Sequence, residues 1–204
     1  MEELTTTINN SAGYYNTSKA DSFYYVGSKD SSGTTAGTYI SYMCFPKPTI
    51  TGSIKPLSME LKVYVKKDTS GYNGCNASVS YVGGEKSATV LHTFSGTYQL
   101  TEGSGGWRTY TTSTTIDRDY LKSILMDSTT TNIWLKLQRT SEQGVVIRGY
   151  DSSYIPTLTI TYQEGNEIKY YTSGAWHDAD AYVYTNGAWK PANIELYSNE
   201  TWKS

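Results

Sequence analysis

The two histidines, His92 and His177, are the side chains of this sequence best suited to acid–base chemistry near neutral pH. Hydrolysis by a Ser-His-Asp set also needs a serine on a sharp, exposed turn. No serine of this sequence stands in a nucleophile elbow or a comparable motif. His92 falls in a predicted strand, and His177 follows a tryptophan of a predicted hairpin. We therefore interpret both histidines as structural.

Close carboxylate pairs are the second feature that could carry out chemistry, because a glycosidase needs two carboxylates facing one sugar bond. Asp117 with Asp119, and Asp178 with Asp180, have this proximity in sequence. Their spacing does not distinguish a catalytic pair from solvated charges. Asp117 and Asp119 are better explained as acidic residues at a helix N-terminus, where the helix dipole stabilises anions. We predict that the protein is not an enzyme.

The sequence also lacks a motif for a bound cofactor. The glycine clusters at residues 83–84 and 103–106 lack the lysine and the strand-to-helix context of a phosphate-binding loop. The two cysteines, Cys44 and Cys75, lie far apart and match no metal or redox spacing. We expect two buried free thiols, with a disulfide as the alternative, and no cofactor.

Aromatic side chains are the remaining functional signal. Sugars present apolar C–H faces beside hydroxyl groups, so a sugar site combines exposed rings with a few polar groups. The candidate glycan-binding residues are Trp134, Tyr64, Trp107, Tyr24 and Tyr25. Trp134 and Tyr64 fall on the outward face of predicted strands, where we expect Trp134 to be exposed, and the other three lie in or near loops. The alternative is that these rings cover the edges of a sandwich poor in aliphatic residues.

The composition indicates which elements position these rings. The 204 residues include 20 tyrosines and 18 glycines, with 37% hydrophobic and 18% charged residues. Tyrosine and threonine suit a pleated, half-buried surface, and glycine with serine supplies turns. A net charge of −2 without a basic cluster argues against nucleic acid or a membrane surface as partner. No apolar run approaches the ~20 residues that a membrane span requires.

Alternating apolar and polar residues predict a succession of short strands within residues 1–163. The clearest strands are 59–67, 132–138 and 157–162, followed by 22–27, 38–45, 76–82, 88–94, 107–115 and 144–149. Residues 116–126 instead have apolar side chains at helical spacing, with Thr115 or Asp117 as the candidate cap. Nine or more strands with a single helix predict an all-β sandwich.

Residues 164–204 carry an internal repeat. Three Tyr and Trp pairs recur every 13 residues, namely Tyr171 with Trp176, Tyr184 with Trp189, and Tyr197 with Trp202. Each copy predicts a two-residue β-hairpin, most clearly at Asn186-Gly187, with its Tyr and Trp close together across the strands. Such hairpins are marginal in water. We therefore expect these rings to serve a hairpin core or packing between chains, the alternative being glycan contact.

The segments 20–24, 42–46, 50–54, 59–64 and 156–162 occur in a recognisable order around the predicted helix. In this order, residues 14–163 resemble the jelly-roll domains named for their DNRLRE motif, which are relatives of family-6 carbohydrate-binding modules. The resemblance implies a jelly-roll β-sandwich over residues 1–163. It also implies that a structural Ca²⁺ could be bound near the chain ends, because related jelly rolls often hold one there. The candidate ligands are Glu2, Glu3, Asp21 and Asp151.

The sequence from Tyr184 to Lys190, Tyr-Thr-Asn-Gly-Ala-Trp-Lys, is similar to the repeated endings of phage and prophage tail proteins of Gram-positive hosts. This resemblance implies a virion protein of the tail tip, baseplate or a fibre, made in the bacterial cytoplasm and released by lysis. The opening residues 1–7 fit this expectation, since they lack the basic and apolar regions of a secretory signal. The implied partners are other virion tail proteins, a host cell-surface glycan and further copies of the chain in a symmetric trimer.

We therefore expect a phage tail, baseplate or fibre-associated structural protein that contributes to host-surface adhesion by binding a glycan. The alternative is an extracellular carbohydrate-binding module of a secreted glycan-processing system. In both cases the protein binds and assembles, and breaks no bonds.

Overall fold

Two antiparallel sheets pack face to face as a β-sandwich with one short helix, and three two-stranded sheets follow in the sequence. The predicted all-β sandwich is confirmed. The computed structural model describes residues 3–19, 22–27, 39–50, 52–66, 74–101, 105–140, 144–150, 152–164, 168–172, 175–179, 182–185, 187–191, 196–198 and 201–203.

The described part of the sandwich contains thirteen strands and one helix. They are β1 (Glu3–Asn9), β2 (Ala12–Tyr15), β3 (Ser18–Lys19), β4 (Phe23–Val26), β5 (Ser41–Pro46), β6 (Ile54–Val65), β7 (Gly74–Gly83), β8 (His92–Thr93), β9 (Tyr98–Thr101), β10 (Gly106–Thr112), α1 (Thr115–Met126), β11 (Asn132–Arg139), β12 (Val145–Arg148) and β13 (Thr157–Glu164). Among the described residues, no helix has the length and apolar character to cross a membrane.

The long strand β6 organises the first sheet. This sheet has the order β1-β13-β6-β12-β4, and β10 also pairs with β6. Lys62 of β6 therefore has a neighbour on each side, Thr157 of β13 and Thr109 of β10. The second sheet has the order β3-β2-β5-β11-β7-β8, with β9 also paired to β7. Because β10, β12 and β13 all pair with β6, residues distant in sequence share one sheet face.

Alternation along the strands decides which residues reach the core. In β6, Leu61, Val63 and Val65 are fully buried, while Lys62 and Tyr64 between them face outward. The inward residues expected for 132–138 and 157–162 are buried as well. Each buried Leu or Val side chain contributes roughly 1.5–3 kcal/mol relative to an exposed one. This core fixes the orientation of the outward side chains.

The helix α1 packs against β6 through Leu121, Ile124 and Leu125. Its N-cap is Thr114, whose Oγ1 accepts a hydrogen bond from the N–H of Asp117 at 3.3 Å. The predicted caps, Thr115 and Asp117, were wrong. Thr115 is already helical, and the Asp117 carboxylate turns into the interior of the protein.

Both cysteines are free and buried, which confirms the predicted pair of free thiols. Cys75 lies in the core between the sheets, whereas Cys44 belongs to a small cluster on the outer face of the second sheet. Burial raises the pKa of the Cys75 thiol to about 12. A thiol with so little thiolate is a poor nucleophile and metal ligand, so Cys75 acts as a small apolar core residue.

The C-terminal repeats form three hairpins. Strand β14 (Ile168–Thr172) pairs with β15 (Ala175–Ala179), β16 (Tyr182–Thr185) with β17 (Ala188–Pro191), and β18 (Leu196–Ser198) with β19 (Thr201–Lys203). The repeat tyrosine lies directly opposite the repeat tryptophan in each one, with the pairs Tyr171 and Trp176, Tyr184 and Trp189, and Tyr197 and Trp202. This confirms the predicted cross-strand pairing.

The second hairpin is the one whose side chains are partly described. Gly187 has a φ of +78°, the left-handed conformation that the predicted Asn-Gly turn requires of its glycine. Tyr184 is 59% exposed and Val183 is 48% exposed, although they point to opposite faces of β16. The side chains of Tyr171, Trp176, Trp189, Tyr197 and Trp202 lie outside the described residues, so their predicted roles stay predictions.

Candidate functional site

Three aromatic rings meet on the outer face of the first sheet. Tyr64 of β6 lies directly opposite Trp107 of β10, and their ring centroids are 5.5 Å apart in an edge-to-face arrangement. Tyr154, from the loop before β13, stacks on Tyr64 at 4.0 Å. Trp107 remains 41% exposed and Tyr154 remains 39% exposed. We call these three residues the aromatic platform.

Three cations lie around this platform, each over an aromatic ring. The Lys62 ammonium is 5.2 Å from the centre of the Trp107 ring. The Arg148 guanidinium lies 4.9 Å from the Phe23 ring and 6.0 Å from the Tyr154 ring. Lys66 follows β6, with its ammonium 5.0 Å from Phe23. We call Lys62, Lys66 and Arg148 the cationic border.

Strand geometry explains why these groups share one face. Lys62, Tyr64 and Lys66 are alternate residues along β6 and its extension, so they point to the same side of the sheet. Arg148 of β12 lies directly opposite Phe23 of β4. Because β12 and β10 both pair with β6, the three strands bring the border and the platform together.

The same sheet face continues into rows of threonines. Two adjacent rows across the sheet are Thr157, Lys62 and Thr109, and Thr7, Thr159, Glu60 and Thr111. The hydroxyl groups of Thr7 and Thr159 are within hydrogen-bond distance of each other at 3.0 Å. The face therefore places hydroxyl groups and the Glu60 carboxylate beside exposed rings. Hydroxyl and carboxylate groups can hydrogen-bond a sugar's hydroxyls, while rings can cover its C–H face.

Two sequence-predicted candidates, Tyr64 and Trp107, thus lie together in this site. Tyr25 is on the outward face of β4 and half-buried, where its ring contacts Tyr15 at 5.0 Å and Tyr39 at 5.6 Å. Sequence reasoning missed Tyr154, which stands in an irregular segment without periodicity. Its one sequence signal is an aromatic residue within a serine-rich turn.

Trp134 does not form an open stacking surface. It does point away from the sandwich core, as its strand position predicts, but it is only 9% exposed. Tyr14 covers it with a ring-centroid distance of 5.9 Å, and Tyr42 and Val82 pack in the same small cluster. The expectation that Trp134 is exposed was therefore wrong. The second sheet carries its own apolar cluster on its outer face, and Trp134 is part of it.

Tyr24 is a core residue, so its prediction as a glycan contact was wrong. Its side chain is 0% exposed, and its hydroxyl donates to Oδ1 of Asn10 at 2.5 Å. Asn10 in turn donates to the carbonyl oxygen of Cys44 at 2.8 Å. Gly13 makes room for the ring, because a Cβ at that position would lie 2.2 Å from Cε1 of Tyr24.

A buried network surrounds Asp117, which is 1% exposed. Its Oδ1 lies 2.8 Å from Nε2 of His92, while its Oδ2 accepts from the Ser95 N–H at 2.9 Å and from the Thr112 hydroxyl. Burial raises the pKa of this carboxyl, but hydrogen bonds from Thr112, His92 and Ser95 outweigh it and hold the pKa well below its usual range.

This network has a structural explanation. The His92 ring stacks on Tyr120 of α1 at 4.2 Å, so the network joins β8 to the helix. Asp117 does lie in the first turn of α1, as expected of a residue that favours the helix dipole, but its principal partners are buried donors. Within the described part of the chain, His92 has no hydrogen bond to a serine, threonine or cysteine side chain.

The described residues offer no metal cluster, and the depression at residues 82–87 and 129–132 lacks aromatic residues. No group of three or more His, Cys, Asp or Glu side chains there could hold a metal ion. Of the calcium candidates, Glu3 is exposed on β1, and Glu2, Asp21 and Asp151 lie outside the described residues. A shallow depression of about 560 Å³ at residues 82–87 and 129–132 has no aromatic lining residue, so it offers no ring for stacking.

Comparison of the chain with protein-family models and with curated proteins finds no match. Function is therefore inferred from the geometry of the sheet face and from the resemblances described above. The aromatic platform with its cationic border, and the Tyr and Trp positions paired across the hairpins, are the features that could contact a partner.

Proposed function

We propose that the sandwich binds a carbohydrate on the outer face of its first sheet. We further propose that the protein is a structural component of a phage tail, baseplate or fibre, and that glycan binding contributes to host-surface adhesion. The observation that carries the glycan proposal is the exposure of Trp107 and Tyr154 at 41% and 39% in one cluster of contacting rings.

The geometry of the platform favours binding over a purely structural role. Many other large rings of the sandwich, including Tyr24, Phe45, Phe94 and Tyr98, are at most 1% exposed. The Tyr64 ring contacts both exposed rings and holds them in place before any ligand arrives. Such preorganisation reduces the entropy lost on binding. The adjoining threonine hydroxyl groups supply polar partners.

An array of neutral and acidic bacterial and plant glycans, probed with the full chain, tests this proposal. We expect binding that falls at least tenfold in Trp107→Ala, because one stacking ring is removed. Ile116→Ala is the matched control, since Ile116 is an exposed apolar residue on α1, and Tyr184→Ala tests the hairpins as the alternative site. Loss of binding in Tyr184→Ala with none in Trp107→Ala would contradict the assignment of the site to the sandwich.

The hairpins support the assembly part of the proposal. Tyr184 and Val183 expose opposite faces of β16, and two-stranded hairpins are marginal in water on their own. Packing among copies of the chain would bury these side chains, and a symmetric trimer is the arrangement we propose. Other tail proteins of the virion are the second class of partner.

The alternative function is a carbohydrate-binding module of a secreted glycan-processing system. The aromatic platform serves this function equally well. The exposed second hairpin favours the virion protein, because a module that binds sugar as a monomer has no use for apolar side chains on both hairpin faces.

A further inference from the structure

Resting on the proposed function, we infer that the platform binds an acidic saccharide, one that carries a carboxylate or phosphate group next to a ring that stacks on Trp107 or Tyr154. The cationic border carries this inference. Its three charges are held by aromatic faces, and none of them has an ion pair within the described part of the chain.

Arg148 is the clearest member of the border. Its guanidinium is placed by the rings of Phe23 and Tyr154, and its buried Nε has no hydrogen-bond partner among the described residues. Native proteins rarely leave such a donor without a partner. The planar guanidinium matches the oxygens of a carboxylate or phosphate group in a two-point hydrogen bond. An acid group next to Tyr154 would bind the terminal N–H₂ groups of this guanidinium, since the buried Nε is out of reach of a ligand at the surface.

Lys62 and Lys66 extend the positive charge along the sheet. They stand two residues before and two residues after Tyr64, so their Cα atoms lie roughly 7 Å from that of Tyr64 on either side. A cation over an aromatic ring keeps its full charge, whereas an ion pair would neutralise it. These lysines therefore remain available to an anionic ligand.

The charge of the surrounding strands agrees with this interpretation. The chain as a whole has a net charge of −2. In contrast, Glu60 is the single carboxylate residue in β4, β6, β10 and β12 together. This part of an acidic protein is locally positive, which attracts anionic ligands.

Two pairs of polymers that differ only in charge test the inference on the full chain. Polygalacturonate is compared with its methyl ester, and dextran phosphate with dextran, by biolayer interferometry at low and at physiological ionic strength. We expect one acidic polymer to bind at least tenfold more tightly than its neutral counterpart, with a difference that shrinks as salt screens the border. The arm that shows the difference identifies the acid group.

Charge-removing variants locate the effect. Arg148→Gln and Lys62→Gln should each weaken binding of the acidic polymer about tenfold, with less than about a threefold change for the neutral polymer. Lys86→Gln is the matched control, because the Lys86 ammonium also lies over aromatic rings, those of Tyr14 and Tyr42, but on the second sheet. Equal melting temperatures for all variants establish that they are folded.

The outcomes separate this inference from the proposed function. Equal binding of acidic and neutral polymers, both lost in Trp107→Ala, would overturn the acidic ligand and support the glycan site. Equal binding of polyglutamate and polygalacturonate, insensitive to Trp107→Ala, would show attraction to any polyanion and overturn both. If an acidic polymer binds, and if Trp107→Ala, Arg148→Gln and Lys62→Gln each weaken that binding, the result supports the acidic ligand and the glycan site alike.

Discussion

Asp117 illustrates how burial decides the role of a single side chain in this protein. Its carboxylate has a histidine, a backbone N–H and a threonine hydroxyl as donors, and each of them is fixed by a different part of the chain. A general base must lie within hydrogen-bond reach of a substrate and must have a lone pair free to accept its proton. Asp117 has neither, so its chemistry is used to hold α1 against the strand that contains His92.

Replacing Asp117 by asparagine should lower the free energy of unfolding by about 2–4 kcal/mol, because the amide places an N–H₂ group against buried donors. Urea unfolding followed by circular dichroism measures this loss. Asp119→Asn is the control, since Asp119 lies in the same helix but is exposed. Asp119→Asn should lower the free energy of unfolding by less than about 0.5 kcal/mol. Equal costs for the two variants would show that the network does not stabilise the fold.

The pH dependence of stability should reflect the same residue. Because the pKa of Asp117 is lower in the folded protein than its value of about 3.9 in an unfolded chain, the carboxylate stabilises the fold above that pH. This stabilisation is lost as the pH falls below 4 toward the folded pKa. The difference in unfolding free energy between wild type and Asp117→Asn should therefore shrink between pH 5 and pH 2. A difference that stays constant would contradict the lowered pKa.

Among the strands and loops, the alternating pattern of β6 predicted that Tyr64 faces outward. It did not predict that Trp107 and Tyr154 lie against Tyr64. The pattern of β6 follows from residues close in sequence, and so does the inward face of β13. The pairing of Trp107 with Tyr64 depends on the register between β6 and β10, which are separated in sequence by the second-sheet strands β7, β8 and β9. Strand periodicity contains no information about that register, and none about Tyr154, which belongs to a loop.

Other elements escaped prediction for different physical reasons. Strand β1 was not predicted because its inward position between Leu4 and Ile8 is a threonine, Thr6. Two apolar residues four positions apart do not make a recognisable alternating pattern. The predicted strand 88–94 is ordered as strand only at His92 and Thr93, because the preceding residues form an exposed irregular loop. The hairpins were predicted well, since a turn and its two strands lie within one short segment.

The helix cap gives a prediction at this scale. Thr114→Ala should reduce stability by about 1 kcal/mol, because the Asp117 N–H at the start of α1 loses its side-chain acceptor. Thr115→Ala, one residue further, should cost less than about 0.5 kcal/mol, since Thr115 is exposed and already helical. Thermal unfolding of the two variants compares them directly. A larger loss for Thr115→Ala would restore the cap expected from the sequence.

Across the whole molecule, we propose that glycan binding and assembly belong to two different parts of the chain. The sandwich supplies a sheet face with exposed rings and cations, and the second hairpin exposes Val183 and Tyr184, which we propose are used for assembly. In a trimer three platforms would face a host surface together, and several weak sugar contacts then act as one strong attachment.

The mass of the protein in solution tests the assembly part. Light scattering coupled to size exclusion should give about three times the 22.7 kDa of one chain. A chain ending after Glu164, which closes β13, should give a folded monomer because the hairpins are removed. A shortened chain that still forms a trimer would show that the sandwich is the assembly element.

Hydroxyl-radical footprinting of the full chain, with and without the glycan that binds best on the array, tests most directly whether the sugar lies on the aromatic platform. Mass spectrometry then reports the oxidation of each aromatic residue. We predict that the glycan protects Trp107 and Tyr154 and leaves Tyr184 unchanged, because the sugar covers the aromatic platform on the first sheet. Unchanged oxidation of Trp107 and Tyr154, with protection of Tyr184, would contradict the account and move the binding site to the hairpins.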